Sequence, residues 1–169
     1  MKEVRPTSGK TLLALMSILE SRGKLYNCTF LDLFSGTGRV GIEALKRGAG
    51  MVYFAETLKS RAGEIKSAIP SKYNEISVVL ALELRRALSW LIKRDITFDV
   101  IFADPPYNEG WNQALVPILE KNHTLLKDDG VLIYEHSALE NIDFSTWELM
   151  ESRYYGESAL TFFKKENLN

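Results

Sequence analysis

Short apolar segments rich in β-branched and aromatic residues alternate along this chain with stretches of helical character, and no other feature restricts its fold as strongly. The five apolar segments are residues 29–34, 51–56, 76–82, 98–103 and 131–135. The stretches with helical patterns are residues 8–22, 39–48, 58–69, 83–94 and 111–124. The apolar segments do not alternate with polar residues, which is typical of strands buried on both faces. The sequence therefore predicts an α/β fold in which helices cover both faces of a mostly parallel sheet.

The last part of the chain has a different pattern. The β-rich stretches at 145–155 and 158–165 are separated only by Gly156 and Glu157, so they predict a closing antiparallel hairpin. With the five earlier strands, this hairpin brings the predicted sheet to seven strands. The sequence contains neither internal repeats nor a linker-like tract. We therefore expect a single domain over residues 1–169, beginning with an N-terminal segment and helix at 1–22.

The composition excludes several classes of protein. No apolar run approaches the roughly 20 residues that a membrane helix needs, and the chain does not begin with a signal peptide, so we expect a cytoplasmic protein that does not contact membranes. The single cysteine, Cys28, and the two histidines offer no disulfide and no zinc site, so we expect no metal. At a net charge of -1, any binding of nucleic acid would need local basic patches. The densest patch, which could also be ordinary solvated surface, consists of Arg85, Arg86, Lys93 and Arg94.

A glycine-rich turn follows the first predicted strand. Gly36, Gly38 and Gly41 form a G-x-G-x-x-G pattern within "LDLFSGTGRVGIEAL", and Glu56 ends the second predicted strand, 20 residues after Gly36. A turn with an acid at this distance is typical of nucleotide cofactor sites, where the carboxylate accepts hydrogen bonds from ribose hydroxyls. The alternative is a tight strand-to-helix turn without a ligand. Glu56 favours the cofactor site.

Asp32, near the carboxyl end of the first predicted strand, distinguishes between possible cofactors. A carboxylate beside the glycine turn would repel a pyrophosphate, whereas it would attract the ammonium or sulfonium group of S-adenosylmethionine. The glycines would let the backbone pass close to the methionine part of that cofactor, and Phe34 could cover it. The sequence therefore favours S-adenosylmethionine, while a structural role for Asp32 in capping the next helix stays open.

The fourth predicted strand ends in the motif Asp104-Pro105-Pro106-Tyr107. The motif follows at the edge where parallel sheets bind ligands, and two successive prolines make the loop stiff. The loop could be a purely structural turn, but methylation of an exocyclic base amine would use each of its residues. The Asp104 carboxylate and the Pro105 carbonyl would accept the two amine hydrogens, and Tyr107 would stack on the base. Positioning in a dry site would then be the main catalytic effect.

The order of these motifs resembles that of the class I S-adenosylmethionine-dependent methyltransferases that act on base amino groups. Within this class the chain is most similar to the bacterial 16S rRNA guanine-N2 methyltransferases of the RsmD type. The resemblance extends from "RPTSGKTLLALMSIL" through "LDLFSGTGRVGIEALKRGA", "VYFAE" and "FDVIFADPPY" to "GVLIYEHS". It implies a Rossmann-like class I methyltransferase fold, with Asp104, Pro105, Pro106 and Tyr107 as catalytic residues. The cofactor contacts that it implies are Asp32, Phe34, Ser35, Gly36, Thr37, Gly38 and Glu56.

The chain departs from the usual pattern of that family in three places. Such enzymes have an acidic or amide residue after the third strand, at the adenine amine of the cofactor, and Glu83 is the candidate here. They carry a basic β-hairpin before the R-P-T motif, whereas four residues precede Arg5, so we expect part of the RNA-binding surface to be absent. The helix after R-P-T is more apolar than usual, so it is either core or a partner contact. The expected contacts to the substrate are Arg5, Thr7, Arg39 and Trp111.

One function is favoured among several that fit the sequence. It is transfer of a methyl group from S-adenosylmethionine to the N2 amine of a guanine in 16S rRNA, by a monomer that acts on rRNA or on the assembled small ribosomal subunit. D-P-P-Y loops also serve methylation of adenine N6 in DNA, but 169 residues leave no room for a target-recognition domain. A silent cofactor-binding module that needs a partner chain is a third hypothesis, against which Asp104 and Tyr107 argue. A nicotinamide-dependent dehydrogenase is a fourth, against which Asp32 argues.

Overall fold

The computed structural model describes residues 7–107 and 109–166. These residues form five α-helices, α1 to α5, at Gly9–Ser21, Arg39–Lys46, Lys59–Ala68, Leu84–Ile92 and Trp111–Lys121. They form seven strands, β1 to β7, at Thr29–Leu33, Met51–Ala55, Ser77–Leu80, Phe98–Ala103, Leu126–Ser137, Trp147–Tyr155 and Ser158–Lys165. Strands and helices thus follow one another in the predicted order. Within this part of the chain, no helix combines the length and the apolar character that crossing a membrane requires.

The strands form one sheet in the order β3-β2-β1-β4-β5-β7-β6. β1 to β5 run parallel, and β7 pairs antiparallel with both β5 and β6. The mostly parallel seven-stranded sheet with its closing hairpin is therefore confirmed. Several boundaries differ from the prediction by one or a few residues. The clearest cases are β3, which follows a short 3₁₀ helix at Ser71–Ile76 and ends at Leu80, and β5, which begins at Leu126.

Two apolar cores lie on opposite faces of the sheet. On one face α4 and α5 pack through residues such as Leu88 and Leu115. On the other face α1, α2 and α3 pack through residues such as Met16 and Ile65. Adjacent residues of β1 therefore point into different cores, and both are withdrawn from water. Burial on both sides is the physical reason why the central strands lack polar alternation.

The apolar first helix belongs to the core. Leu15, Met16 and Leu19 of α1 are fully buried, whereas Leu13 is exposed. The helix begins after Ser8, whose Oγ accepts a hydrogen bond from the Thr11 N–H at 3.1 Å. Of the two roles that the sequence left open for this helix, core packing is the one observed.

Candidate active site

A cleft of about 530 Å³ opens at the carboxyl edge of the sheet, beside the ends of β1 and β4. The chain leaves β1 toward α2 on one face and leaves β4 toward α5 on the other, which separates the two connections and forms a crevice. The glycine turn and the D-P-P-Y loop therefore meet in one cavity. The expected site residues that line it are Thr7, Asp32, Phe34, Ser35, Gly36, Thr37, Arg39, Glu56, Asp104, Pro105, Pro106, Tyr107 and Trp111.

The turn between β1 and α2 has an unusual backbone. Phe34, Gly36 and Gly38 have positive φ angles of 60°, 58° and 78°. Glycine adopts such angles without strain, whereas a phenylalanine does so at a cost of roughly 1–3 kcal/mol. Strain of this kind in non-glycine residues is concentrated at binding sites. The strained conformation of Phe34 therefore indicates a binding site at the same wall of the cleft that Gly36 lines.

Gly41 and Gly38 have packing roles rather than places in the cavity wall. A Cβ atom on Gly41 would lie 2.3 Å from Cε1 of Phe54 in β2, and one on Gly38 would lie 3.0 Å from Ile65 in α3. Neither glycine is among the residues that line the cleft. The last glycine of the pattern thus permits α2 to lie close to the sheet. Gly38, an expected cofactor contact, lies at the start of α2 with its neighbour Thr37 in the cavity wall.

Glu56 connects the glycine turn to the loop after β2. Its Oε2 accepts a hydrogen bond from the Gly36 N–H at 3.0 Å, and its Oε1 accepts one from the Leu58 N–H at 3.2 Å. Arg61 of α3 lies 4.0 Å from Oε1 and also lines the cleft. Each carboxylate oxygen has a second lone pair, so the side chain can still accept hydrogen bonds from a ligand. Glu56 is therefore held in place at the position where a ribose acceptor is expected.

Asp32 is a buried carboxyl at the end of β1. Its side chain is 2% exposed, and its Oδ2 accepts a hydrogen bond from the Gly41 N–H at 3.1 Å. Burial raises the pKa of Asp32 to about 7; the Gly41 hydrogen bond opposes this shift, and the charge of Glu56 adds to it. Asp32 therefore binds the first turn of α2 and also lines the cleft. A cation in the cleft would favour its ionised form, so the two roles that the sequence left open are compatible.

The D-P-P-Y loop joins the cleft to distant parts of the chain. Thr7 Oγ1 lies 3.3 Å from Oδ2 of Asp104, and the Tyr107 hydroxyl lies 3.1 Å from Oγ of Ser158 at the start of β7. Pro105 and Pro106 line the cavity between these two anchored residues. The loop is thus fixed at both ends, as positioning of a substrate amine would require.

Glu135 of β5 is a site residue that the sequence pattern did not indicate. Its side chain is 3% exposed, and its Oε2 accepts a hydrogen bond from Thr7 Oγ1 at 2.8 Å. The same hydroxyl lies 3.3 Å from Oδ2 of Asp104, so the carboxyls of Glu135 and Asp104 are close neighbours. Burial, followed by the charge of Glu135, raises the pKa of Asp104 well above its ordinary value. The sequence did contain a signal for it, since Glu135 is the one acid of the otherwise apolar run "VLIYE" and stands at the carboxyl end of the predicted strand, where parallel sheets bind ligands.

The remaining expected residues occupy different positions. The rings of Phe34 and Trp111 meet edge to face with centroids 5.0 Å apart, and Arg39 Nη1 donates to the Thr7 carbonyl at 3.0 Å. Glu83 is exposed and does not line the cleft; its Oε1 accepts from the Arg85 N–H at 3.0 Å, so it caps α4. The structure therefore does not bring Glu83 to the other site residues. Arg5 lies outside the described residues.

The residues of the cleft suit S-adenosylmethionine. Asp32 offers a carboxylate to a cationic group, and Glu56 offers one to hydroxyl groups. The glycine turn leaves room for close approach of a ligand, because Gly36 carries no side chain. Leu82 and Leu84, on either side of Glu83, give the wall an apolar section that suits a flat base.

Known proteins are similar to this chain in sequence and in fold. The family described as "Conserved hypothetical protein 95" matches residues 1–164. YlbH of Bacillus subtilis, whose name assigns it provisionally to the rRNA methyltransferases, is 31% identical over 138 residues, covering 80% of this chain and 74% of that protein. The Escherichia coli K12 protein named ribosomal RNA small subunit methyltransferase D is 28% identical over 167 residues, covering 96% and 80%. A solved hypothetical protein from Thermus thermophilus has a TM-score of 0.81 at 26% identity, covering 95% and 88%.

Proposed function

Because the chain belongs to the family described as conserved hypothetical protein 95, we propose that it transfers a methyl group from S-adenosylmethionine to the N2 amine of a guanine in 16S rRNA. The chain is an enzyme of the methyltransferase class, as its named relatives are. The name of the Escherichia coli relative specifies small-subunit rRNA. The RsmD-type resemblance of the motifs supports guanine N2 as the acceptor.

One observation carries this proposal: the cofactor motif and the amine-binding motif line the same cleft. Asp32 and Glu56 come from the ends of β1 and β2, and Asp104 comes from the end of β4. A dehydrogenase would need the first motif alone. An exocyclic amine needs hydrogen-bond acceptors beside an activated methyl group, because its lone pair is delocalised into the base.

Bound S-adenosylmethionine supplies the activated methyl group. Asp32 binds its cationic amino-acid end, and Glu56 binds its ribose. Asp104 and the Pro105 carbonyl accept the hydrogens of the amine and hold its lone pair toward the methyl carbon, while Tyr107 stacks on the guanine. The edge-to-face pair of Phe34 and Trp111 forms an apolar wall that limits the access of water.

The RNA would contact the basic residues of α4, whose first turn lies beside the cleft. Arg85 and Arg86 are exposed in the first turns of α4, next to Leu84 of the cleft wall. Lys93 and Arg94 extend this basic surface along the chain, and Arg94 packs over the Trp90 ring at 3.8 Å. Lys and Arg in such an arrangement bind phosphates without reading sequence. We expect a monomer that acts in the cytoplasm, where ribosomal subunits are assembled.

A labelled-methyl assay tests the proposal. Purified protein and labelled S-adenosylmethionine are incubated with small-subunit particles, naked 16S rRNA and DNA in parallel, the ribosomal substrates coming from cells that lack this enzyme. We expect N2-methylguanosine in the ribosomal substrates only. Asp104→Ala should abolish transfer while binding of the cofactor, followed by calorimetry, persists. Incorporation into DNA alone would instead support an adenine methyltransferase, and cofactor binding with no transfer to any substrate would refute the proposed activity.

A further inference from the structure

Glu135 is a buried acid at the catalytic loop to which the proposed function assigns no role. The parallel register of β4 and β5 pairs Ala103 with Tyr134. An acid follows each of these two residues, Asp104 directly after the end of β4 and Glu135 within β5, so the two acids are neighbours where the pairing ends. Glu135 is 3% exposed and does not line the cleft. It therefore contacts the loop from behind.

The contacts of Asp104 and Glu135 limit how many protons the two carboxyls hold and where those protons lie. Thr7 Oγ1 lies within hydrogen-bond distance of both acids, so the carboxyls of Asp104 and Glu135 are close neighbours. Two ionised carboxylates are acceptors only and repel each other in a buried site, so the pair is more stable with one proton. Thr7 has a single hydroxyl hydrogen, and its Oγ1 lies 2.8 Å from Glu135 against 3.3 Å from Asp104. The hydroxyl is thus closer to Glu135. Together, the shared proton and the Thr7 hydroxyl hydrogen provide two hydrogen bonds for the two acids, and these bonds fix the orientation of both carboxyl groups.

We propose that Glu135 is a positioning residue for methyl transfer, which shares one proton with Asp104 and so sets the orientation and the ionisation of that side chain. The proposal rests on the proposed function. When a substrate amine arrives, the shared proton moves to Glu135, whose carboxyl O–H donates a hydrogen bond to one oxygen of Asp104. The ionised Asp104 then accepts an amine hydrogen with its other oxygen.

The same pair provides a destination for the proton that the reaction releases. Methyl transfer forms the bond from the amine nitrogen to the methyl carbon and breaks the bond from that carbon to sulfur, whose electron pair stays on sulfur. The methylated amine then holds one excess proton. Asp104 accepts this proton, the pair holds two, and one passes to water when the product leaves. Glu135 acts through Asp104 and does not touch the substrate.

The charged groups around the pair come from several elements. Asp32 of β1 adds a negative charge that also acts on Asp104. Arg39 of α2 approaches through its hydrogen bond to the Thr7 carbonyl. On β5, Tyr134 bonds to Asn112 and His136 bonds to Thr161, so both rings are engaged elsewhere. In β7, the partner of Glu135 in the register is the uncharged Leu160.

The first test needs no activity. The carboxyl groups of Asp104 and Glu135 are titrated by NMR in the protein without cofactor, in the wild type, in Glu135→Gln and in Glu75→Gln. Glu75 is an exposed glutamate in the 3₁₀ helix before β3, at the opposite edge of the sheet. We expect the wild-type pair to keep one proton at pH values well above those at which carboxyl groups ordinarily titrate. In Glu135→Gln, Asp104 should lose its proton at least about one pH unit lower than the wild-type pair loses this last proton. Independent titration of the two acids at ordinary values in the wild type would overturn the proposal even if the variant did not fold.

The second test follows kcat against pH for the three proteins on the ribosomal substrate. In the wild type kcat should fall at low pH, where the pair takes up a second proton and Asp104 becomes neutral, and at high pH, where the pair loses its last proton and with it the hydrogen bond that orients Asp104. In Glu135→Gln only the acid limb should remain, because the amide does not titrate, with a lower plateau and an unchanged KM for RNA. A merely structural residue would lower activity at every pH and leave both limbs in place, and that result would overturn the role of Glu135 alone. A wild type that methylates no nucleic acid would refute the proposed function itself, so the two failures are distinguishable.

Discussion

Replacement of Gly41 by alanine tests whether the last glycine of the turn serves packing. The new Cβ would lie 2.3, 2.7 and 3.0 Å from three atoms of the Phe54 ring. Ordinary contact begins at 3.4 Å, so the ring would have to retreat by about 1.1 Å. Phe54 is fully buried between α2 and the sheet, so the movement must displace other core side chains.

The expected change in the free energy of unfolding follows from two opposing effects. Overpacking of a core costs about 1–3 kcal/mol, and an overlap of this size belongs at the upper end. Alanine within a helix regains up to about 1 kcal/mol relative to glycine. Gly41→Ala should therefore destabilise the protein by about 2 kcal/mol. The matched control is Gly63→Ala in α3, where a Cβ would meet nothing within 4 Å and the helix effect alone should stabilise by about 0.5–1 kcal/mol.

Urea-induced unfolding followed by circular dichroism measures both variants. A double-mutant cycle with Phe54→Leu isolates the contact, since Gly41→Ala should cost at least about 1 kcal/mol less when the ring is gone. A Gly41→Ala variant as stable as the wild type would rule out this packing role for Gly41. So would a cost of the alanine that is the same with and without the Phe54 ring.

Three further predictions concern single side chains. The raised pKa of Asp32, about 7 in the folded protein, means that the folded state binds this proton more tightly than the unfolded chain, so its contribution to stability is lost as pH rises from about 4 to 7. The free energy of unfolding of Asp32→Asn, measured relative to that of the wild type, should thus increase between pH 4.5 and 8 by at most about 1.4 kcal/mol per pH unit. Urea unfolding that gives the same difference between the two proteins at every pH would contradict this. Glu56→Gln should weaken S-adenosylmethionine binding roughly 10- to 100-fold in calorimetry, because a hydrogen bond to a charged acceptor contributes about 1.5–3 kcal/mol; unchanged affinity would exclude Glu56 from the site. Burial raises the pKa of Cys28 to about 12, so iodoacetamide at pH 8 should modify the thiol only in urea, and rapid modification of the native protein would show that the site opens.

The elements of the fold could be predicted because their signals are local. Continuous apolar runs and helical periodicity depend on neighbours within about one element, and turn residues mark where each element ends. The structure follows this order from β1 to the hairpin of β6 and β7. The bounds of β3 differ from the predicted 76–82, because Ile76 belongs to a short 3₁₀ helix and the strand ends at Leu80.

The candidate site could be predicted in part. Asp32, Glu56 and Asp104 each follow or end an apolar strand, and the rule that parallel strands present ligands at their carboxyl ends places all three at one edge. The structure brings them into one cleft. The role of Glu83 could not be read from spacing, because one residue of register decides whether a side chain lines the cleft or caps a helix.

The alternation of strands and helices, the glycine turn and the position of the D-P-P-Y loop were all specified locally, since each depends on residues close together in the chain. Which side chains contact those motifs from behind depends on long-range packing. Thr7, Asp104 and Glu135 come from three separate parts of the chain, and their contact depends on the register of β4 with β5 and on the position of α1. The packing of Gly41 on Phe54 depends likewise on how closely α2 approaches β2. Such contacts follow from the packing of whole elements, which no local pattern specifies.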